Sequence, residues 1–132
     1  METQLRASLL EWLSADPLLS AEINTFAEES PLSAAPPWLG IVASTSIDWG
    51  CKDRAGREVR VALELTIRSD EPASGSSLVT AIDKRIDAMP AAQNGFELIT
   101  SRFLRARAER RPRNLRAMLL EYRFRLLETA PA

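Results

Sequence analysis

The sequence contains no histidine, and that absence removes more chemistry than any other feature of the composition. Without an imidazole there is no Ser-His-Asp or Cys-His pair, no ordinary zinc site and no histidine acid or base near neutral pH. The single cysteine, Cys51, excludes an internal disulfide and fits a reducing compartment. Lys52 beside it would favour a thiolate, but no base is available to pair with it. The five glycines never form G-x-G-x-x-G or a Walker loop, so nucleotide binding has no motif. No apolar run approaches the roughly 20 residues of a membrane-spanning helix. The opening METQLRASLLEWL carries acids and lacks the basic start and small-residue cleavage site of a signal peptide, so the chain is expected to stay where it is made. These absences together predict a protein that is not an enzyme and uses neither metal nor cofactor.

What is present is an ordinary globular composition, with 132 residues, 45% hydrophobic and 27% charged. That length predicts one domain, residues 1–132, with a single core. The net charge of -1 conceals an asymmetry. Residues 1–37 hold six acids against Arg6 alone, whereas residues 102–125 hold nine arginines against Glu109 and Glu121. Such unlike ends can pair within a fold or between neighbouring copies in a head-to-tail assembly.

Leu5, Leu9, Trp12 and Leu13 recur at helical spacing and Asp16-Pro17 follows, which predicts an amphipathic helix over 3–15. Residues 18–29 fit either a second short helix or an irregular connection, and SPLSAAPP reads as loop. WLGIVASTSIDW predicts a strand, and Asp53-Arg54-Ala55-Gly56 the turn into its antiparallel partner. In that partner Val59, Val61, Leu63, Leu65 and Ile67 alternate onto one face, which leaves Arg60, Glu64 and Arg68 on the other. The polar SDEPASGSS offers serines as caps for a helix carrying Leu78, Val79, Ile82 and Ile86, closed by Pro90. Residues 96–108 and 115–127 predict a long hairpin around a basic turn, ERRPRN. Met118, Leu120, Tyr122, Phe124 and Leu126 form its inward face, opposite Glu121, Arg123 and Arg125. The expected fold is α+β, an antiparallel sheet of about four strands packed on helices in the order α-β-β-α-β-β.

Asp83 and Asp87, four residues apart, could share a helix face, but no electrophile-stabilising partner accompanies them and they read as solvated surface beside Lys84 and Arg85. The arginine run from Arg105 to Arg116 suits a solvated hairpin, a protein interface or a nucleic-acid contact; it lacks the interleaved aromatics of a base-stacking platform. Trp38 and Trp49 flank the first strand and read first as packing at the core edge.

Residues 36–69, PPWLGIVASTSIDWGCKDRAGREVRVALELTIRS, resemble the phage tail-terminator and tail-completion family of long-tailed prophages and gene transfer agents. Pro36, Pro37 and Trp38 match its proline-aromatic approach to the first strand. Asp48, Trp49, Lys52, Gly56 and Glu58 match its tryptophan, its lysine-containing turn and the start of its long strand. Cys51 departs from the small hydroxyl residue expected there, and the terminal turn is unusually rich in arginine. The resemblance implies a structural virion protein needing no cofactor. Its copies would form a ring, commonly a hexamer, that caps the head-proximal end of the tail tube, stops tube polymerisation and presents the surface for head-tail joining. Its implied partners are further copies of itself, the tail tube protein and a head-tail connector or neck protein, with DNA only as cargo through the lumen and no membrane. It would be assembled in the bacterial cytoplasm and reside at the neck end of the tail. Candidate subunit or tube interface residues are Trp49, Lys52, Arg54, Arg60, Glu64, Arg68, Arg105, Arg107, Arg110, Arg111 and Arg113. The alternatives are a neck or head-completion protein on the connector side, or a small nucleic-acid-binding module using the arginine-rich hairpin.

Overall fold

A computed structural model describes residues 1–29 and 33–129. The chain begins with α1 (Glu2–Ser14), which buries Leu5, Leu9 and Leu13. Proline acts at the next boundary as predicted, and it also starts something new. Asp16 accepts a hydrogen bond from the Leu19 amide and Pro17 occupies the first helical position, so the pair opens a second helix, α2 (Pro17–Glu22). The segment left open between helix and connection is therefore this helix followed by a short strand, β1 (Thr25–Ala27).

The remaining elements are β2 (Trp38–Asp48), β3 (Gly56–Arg68), α3 (Ser76–Asp87), β4 (Phe96–Arg111) and β5 (Leu115–Glu128). They make one sheet in the order β1-β2-β3-β5-β4. The expectation of about four antiparallel strands is corrected to five in a mixed sheet, because β1 pairs parallel to β2. A three-residue strand without alternation gives no periodic signal, and only its partner's edge makes it a strand. Asn24 secures that junction, its amide bonding the Pro37 carbonyl and its side chain the Ala35 and Pro36 carbonyls. The Pro36-Pro37 peptide is cis.

Three local expectations also change. The β2–β3 connection spans residues 49–55, with Lys52 and Asp53 at its tip and a Cys51–Arg54 bridge closing it, so Gly56 is already strand. A Cβ there would come within 2.7 Å of the Leu126 carbonyl and 2.8 Å of the Trp49 carbonyl, which explains a glycine at this crossing. The cap of α3 is Gly75 at φ 90°, not a serine, since a left-handed residue turns the chain into the helix. Finally, Arg110 and Arg111 belong to β4; the hairpin turn is Pro112-Arg113-Asn114, with Arg113 and Asn114 at positive φ.

The alternation in β3 and β5 holds. Val59, Val61, Leu63, Leu65 and Ile67 join Leu120, Tyr122, Phe124 and Leu126 beneath the apolar stripes of α1 and α3. Each such buried side chain contributes about 1.5–3 kcal/mol relative to exposure. The helices are clasped together at Trp12 and Arg85. The indole Nε1 donates to the Arg85 carbonyl at 2.6 Å, Arg85 Nε returns a bond to the Trp12 carbonyl at 2.8 Å, and the guanidinium lies 3.4 Å from the ring centroid. Arg85 is thus a packing residue, although it was expected beside the solvated aspartates. Asp83 is likewise engaged, accepting from the Tyr122 hydroxyl at 2.8 Å.

Candidate interaction surface

All helices lie against one face of the sheet, so side chains of β2 to β5 that alternate away from them form a second, helix-free face. Strand register builds this face row by row. Thr45, Arg60, Arg123 and Arg102 stand side by side across four strands. The row below contains Ala43, Ala62, Glu121 and Arg105, and the row above Ile47, Glu58, Arg125 and Thr100. Over the whole face eight arginines (60, 68, 102, 105, 107, 111, 123 and 125) meet five glutamates (58, 64, 97, 109 and 121), an excess of three positive charges.

The glutamates organise this charge. Glu121 receives both Nε and Nη2 of Arg105, at 2.7 and 3.0 Å. Those bonds hold its carboxyl below the usual range and raise the Arg105 guanidinium. The pair is exposed, so it orients side chains more than it stabilises the fold. Glu58 accepts from Arg125 Nε at 3.0 Å, and Arg123 Nε lies 3.9 Å from the same oxygen. At that distance the buried Arg123 Nε makes no hydrogen bond among the described residues. Like charges directly opposite one another on a sheet are destabilising, and Arg60, Arg123 and Arg102 form three in succession. The arrangement can accept carboxylate or phosphate oxygens.

The candidate residues do not form one site. Arg60 is exposed at the centre of the arginine row, whereas Glu64 is only 3% exposed. Arg111 reaches Glu64 at 2.7 Å and Thr66 donates to its other oxygen at 3.4 Å, so Glu64 is an internal anchor, contrary to the expectation that it is an interface group. Burial opposes the Arg111 charge, but hydrogen bonds to Glu64 and Glu109 outweigh it and raise its pKa. Arg68 donates to the Arg113 carbonyl and ties the end of β3 to the hairpin turn. Arg107 pairs with Glu109 at 3.0 Å, whereas Arg110 lies opposite Arg116 on the other face. Arg113 is exposed in the turn. At the opposite end of the sheet Trp49 lies 5.5 Å from the Arg125 guanidinium, Arg54 bonds the Glu128 carbonyl and Lys52 is exposed at the loop tip. The sequence reading missed Arg102 and Glu58 as members of the charged face. Alternation around Arg123 and Arg125 hinted at it, but the rows exist only once register is known.

The described residues contain no group of three or more His, Cys, Asp or Glu side chains able to hold a metal, and none of their helices is long and apolar enough to cross a membrane. Residues 7–127 match the family model described as Tail completion protein gp17. The chain belongs to that family. A chain of a solved structure, "Virion of native gene transfer agent (GTA) particle", has the same fold, with a TM-score of 0.82, 21% identity, and 97% of each chain covered. No curated protein matched the chain by sequence. This tail completion protein thus shares the fold of that virion chain and presents a basic, helix-free sheet face among its described residues.

Proposed function

We propose that this tail completion protein is a tail terminator. Its copies form a ring, hexameric by the family resemblance, on the head-proximal end of the tail tube of a phage-like particle, where it stops tube growth and offers the head-tail joining surface. The observation that carries the reading is the family match over residues 7–127, supported by the fold shared with a chain of the gene transfer agent virion. The basic face supports it physically. Arg60, Arg68 and Arg102 are exposed on a sheet side that no helix covers, which suits a contact with a carboxylate-bearing neighbour or with DNA phosphates passing through a lumen. Assembly needs no catalysis, in keeping with the missing histidine. Light scattering behind size exclusion, with negative-stain imaging alone and after mixing with the tail tube protein, tests the reading. A closed ring capping one end of shortened tubes is expected. Failure to form a ring under both conditions overturns it, and binding only to the connector protein would reassign the chain to the neck side.

A further inference from the structure

We infer that neighbouring copies join by β-strand pairing, the free outer edge of β2 in one subunit adding to the free outer edge of β4 in the next. This deepens the ring reading above and rests on it. Among the described residues β1 covers only Trp38–Gly40, so the backbone of β2 from Ile41 to Asp48 has no strand on its outer side. β4 is the opposite border of the sheet. Among the described residues the segment before it bonds back only at Phe96, Glu97 and Leu98, and nothing pairs with its edge from Ile99 to Arg111. Long unpaired edges are normally blunted, because their free N–H and C=O groups template association.

Both edges do carry bulges, at Ile41/Ala43 in β2 and at Leu98/Thr100 and Phe103/Arg105 in β4, and β4 bears arginines, yet each edge also exposes apolar side chains. Among the described residues the exposed large hydrophobic ones are Leu18, Val42, Ile47, Ile99 and Phe103, and all but Leu18 sit on these two edges. Val42 and Ile47 are 36% and 59% exposed on β2; Ile99 and Phe103 are 38% and 46% exposed on β4.

Charge selects which edge meets which. An open hollow of about 440 Å³ lies along Ile41–Ser44, rimmed by Arg6, Glu28 and Glu29; Arg6 pairs with Glu28 at 3.2 Å, which leaves Glu29 as the rim's unbalanced charge. β4 supplies Arg102, Arg105 and Arg107 along its free length, and Arg102 makes no ion pair among the described residues. A β4–β4 contact would set arginine strand against arginine strand, and a β2–β2 contact would bring two rims of net negative charge together. The unlike pairing relieves both, and a contact between two different edges repeats by rotation into a closed ring. The sheet then runs continuously from subunit to subunit, with main-chain hydrogen bonds as the adhesive, as in peptide recognition by strand addition.

The test uses V42K/I47K to block the β2 edge and I99K/F103K to block the β4 edge, each checked for unchanged circular dichroism. Light scattering is run alone and with tail tube protein. Each blocked variant by itself is expected to lose the ring, while an equimolar mixture recovers one contact and yields 1:1 dimers. Rings that persist in both variants overturn edge pairing and leave the ring reading intact. Dimers in either blocked variant alone would also overturn it, because they require a like-with-like contact. A wild-type chain that forms no ring, free or on tubes, overturns the ring reading and this inference with it.

Discussion

Glu64 Oε1 lies 2.7 Å from Nη2 of Arg111, joining the middle of the sheet to the end of its longest strand. The carboxylate is buried, whereas Arg111 is about one-third exposed, so the arginine brings partial solvation to a charge that the sheet would otherwise strand. Removing one partner of a buried pair leaves an uncompensated charge, at a cost of about 3–5 kcal/mol when both are enclosed. Because water can reach the Arg111 side, R111A is expected to cost about 2 kcal/mol. E64Q, which keeps the shape and accepts the same bond, should cost less. Urea denaturation of the two variants beside the wild type checks the order; midpoints unchanged from the wild type would show that the pair holds nothing.

Tyr122 is the only tyrosine, so its phenolate absorbance reads one group. Burial, and then the bond to Asp83, push its pKa above the ordinary value of 10.0. The group is neutral when protonated, and its folded pKa is raised. Its contribution to stability is therefore complete below pH about 10 and is lost as pH rises further toward the folded pKa. Ultraviolet titration should show no phenolate step near pH 10 in the folded protein and a step appearing together with alkaline unfolding. An ordinary titration curve in folded protein would contradict the buried geometry.

Glu2 shows the opposite sign. The Ser46 hydroxyl, donating at 2.6 Å, and next the backbone lower its carboxyl from 4.5 to about 2. A depressed carboxyl stabilises the fold above its unfolded pKa, and that contribution disappears as pH falls from about 4.5 toward 2. S46A should move the Glu2 titration upward by NMR and weaken the tie between α1 and β2, with the stability difference from wild type vanishing in acid. An unmoved titration would show that Ser46 is not the cause.

The elements with their own periodicity were legible without coordinates. Leu5, Leu9 and Leu13 defined α1, and the period-two runs in β3 and β5 identified the buried face and the charged one. What could not be read depended on partners distant in the chain. β1 is a strand because β2 lies beside it, and Glu64 is an anchor because Arg111 is delivered to it by the β4–β5 hairpin. Alternation placed Glu64 on the correct face, yet a face carries no depth. Trp49, Lys52 and Arg54 cluster at one end of the sheet and Arg113 at the other, so their common candidacy came from composition and resemblance, not from a shared location.

The row formed by Arg60, Arg123 and Arg102 should trade stability for assembly. In the free subunit three like charges stand directly across neighbouring strands, and neutralising an outer one relieves repulsion. R60Q and R102Q are therefore each expected to stabilise the isolated protein by about 0.2–1 kcal/mol. If the row binds carboxylates of a neighbour or phosphates in the lumen, the same substitutions should weaken assembly or DNA retention, and R60E/R102E should weaken them further. Thermal melts of the subunit and counts of capped, DNA-filled particles give the two readouts independently. Substitutions that stabilise the subunit and leave particle yield unchanged would make the row a solvated surface. A loss of yield with unaltered subunit stability would place its value in the contact alone. Salt separates the two anions: phosphate contacts weaken steeply with ionic strength through counterion release, whereas a carboxylate ion pair enclosed between subunits is screened far less.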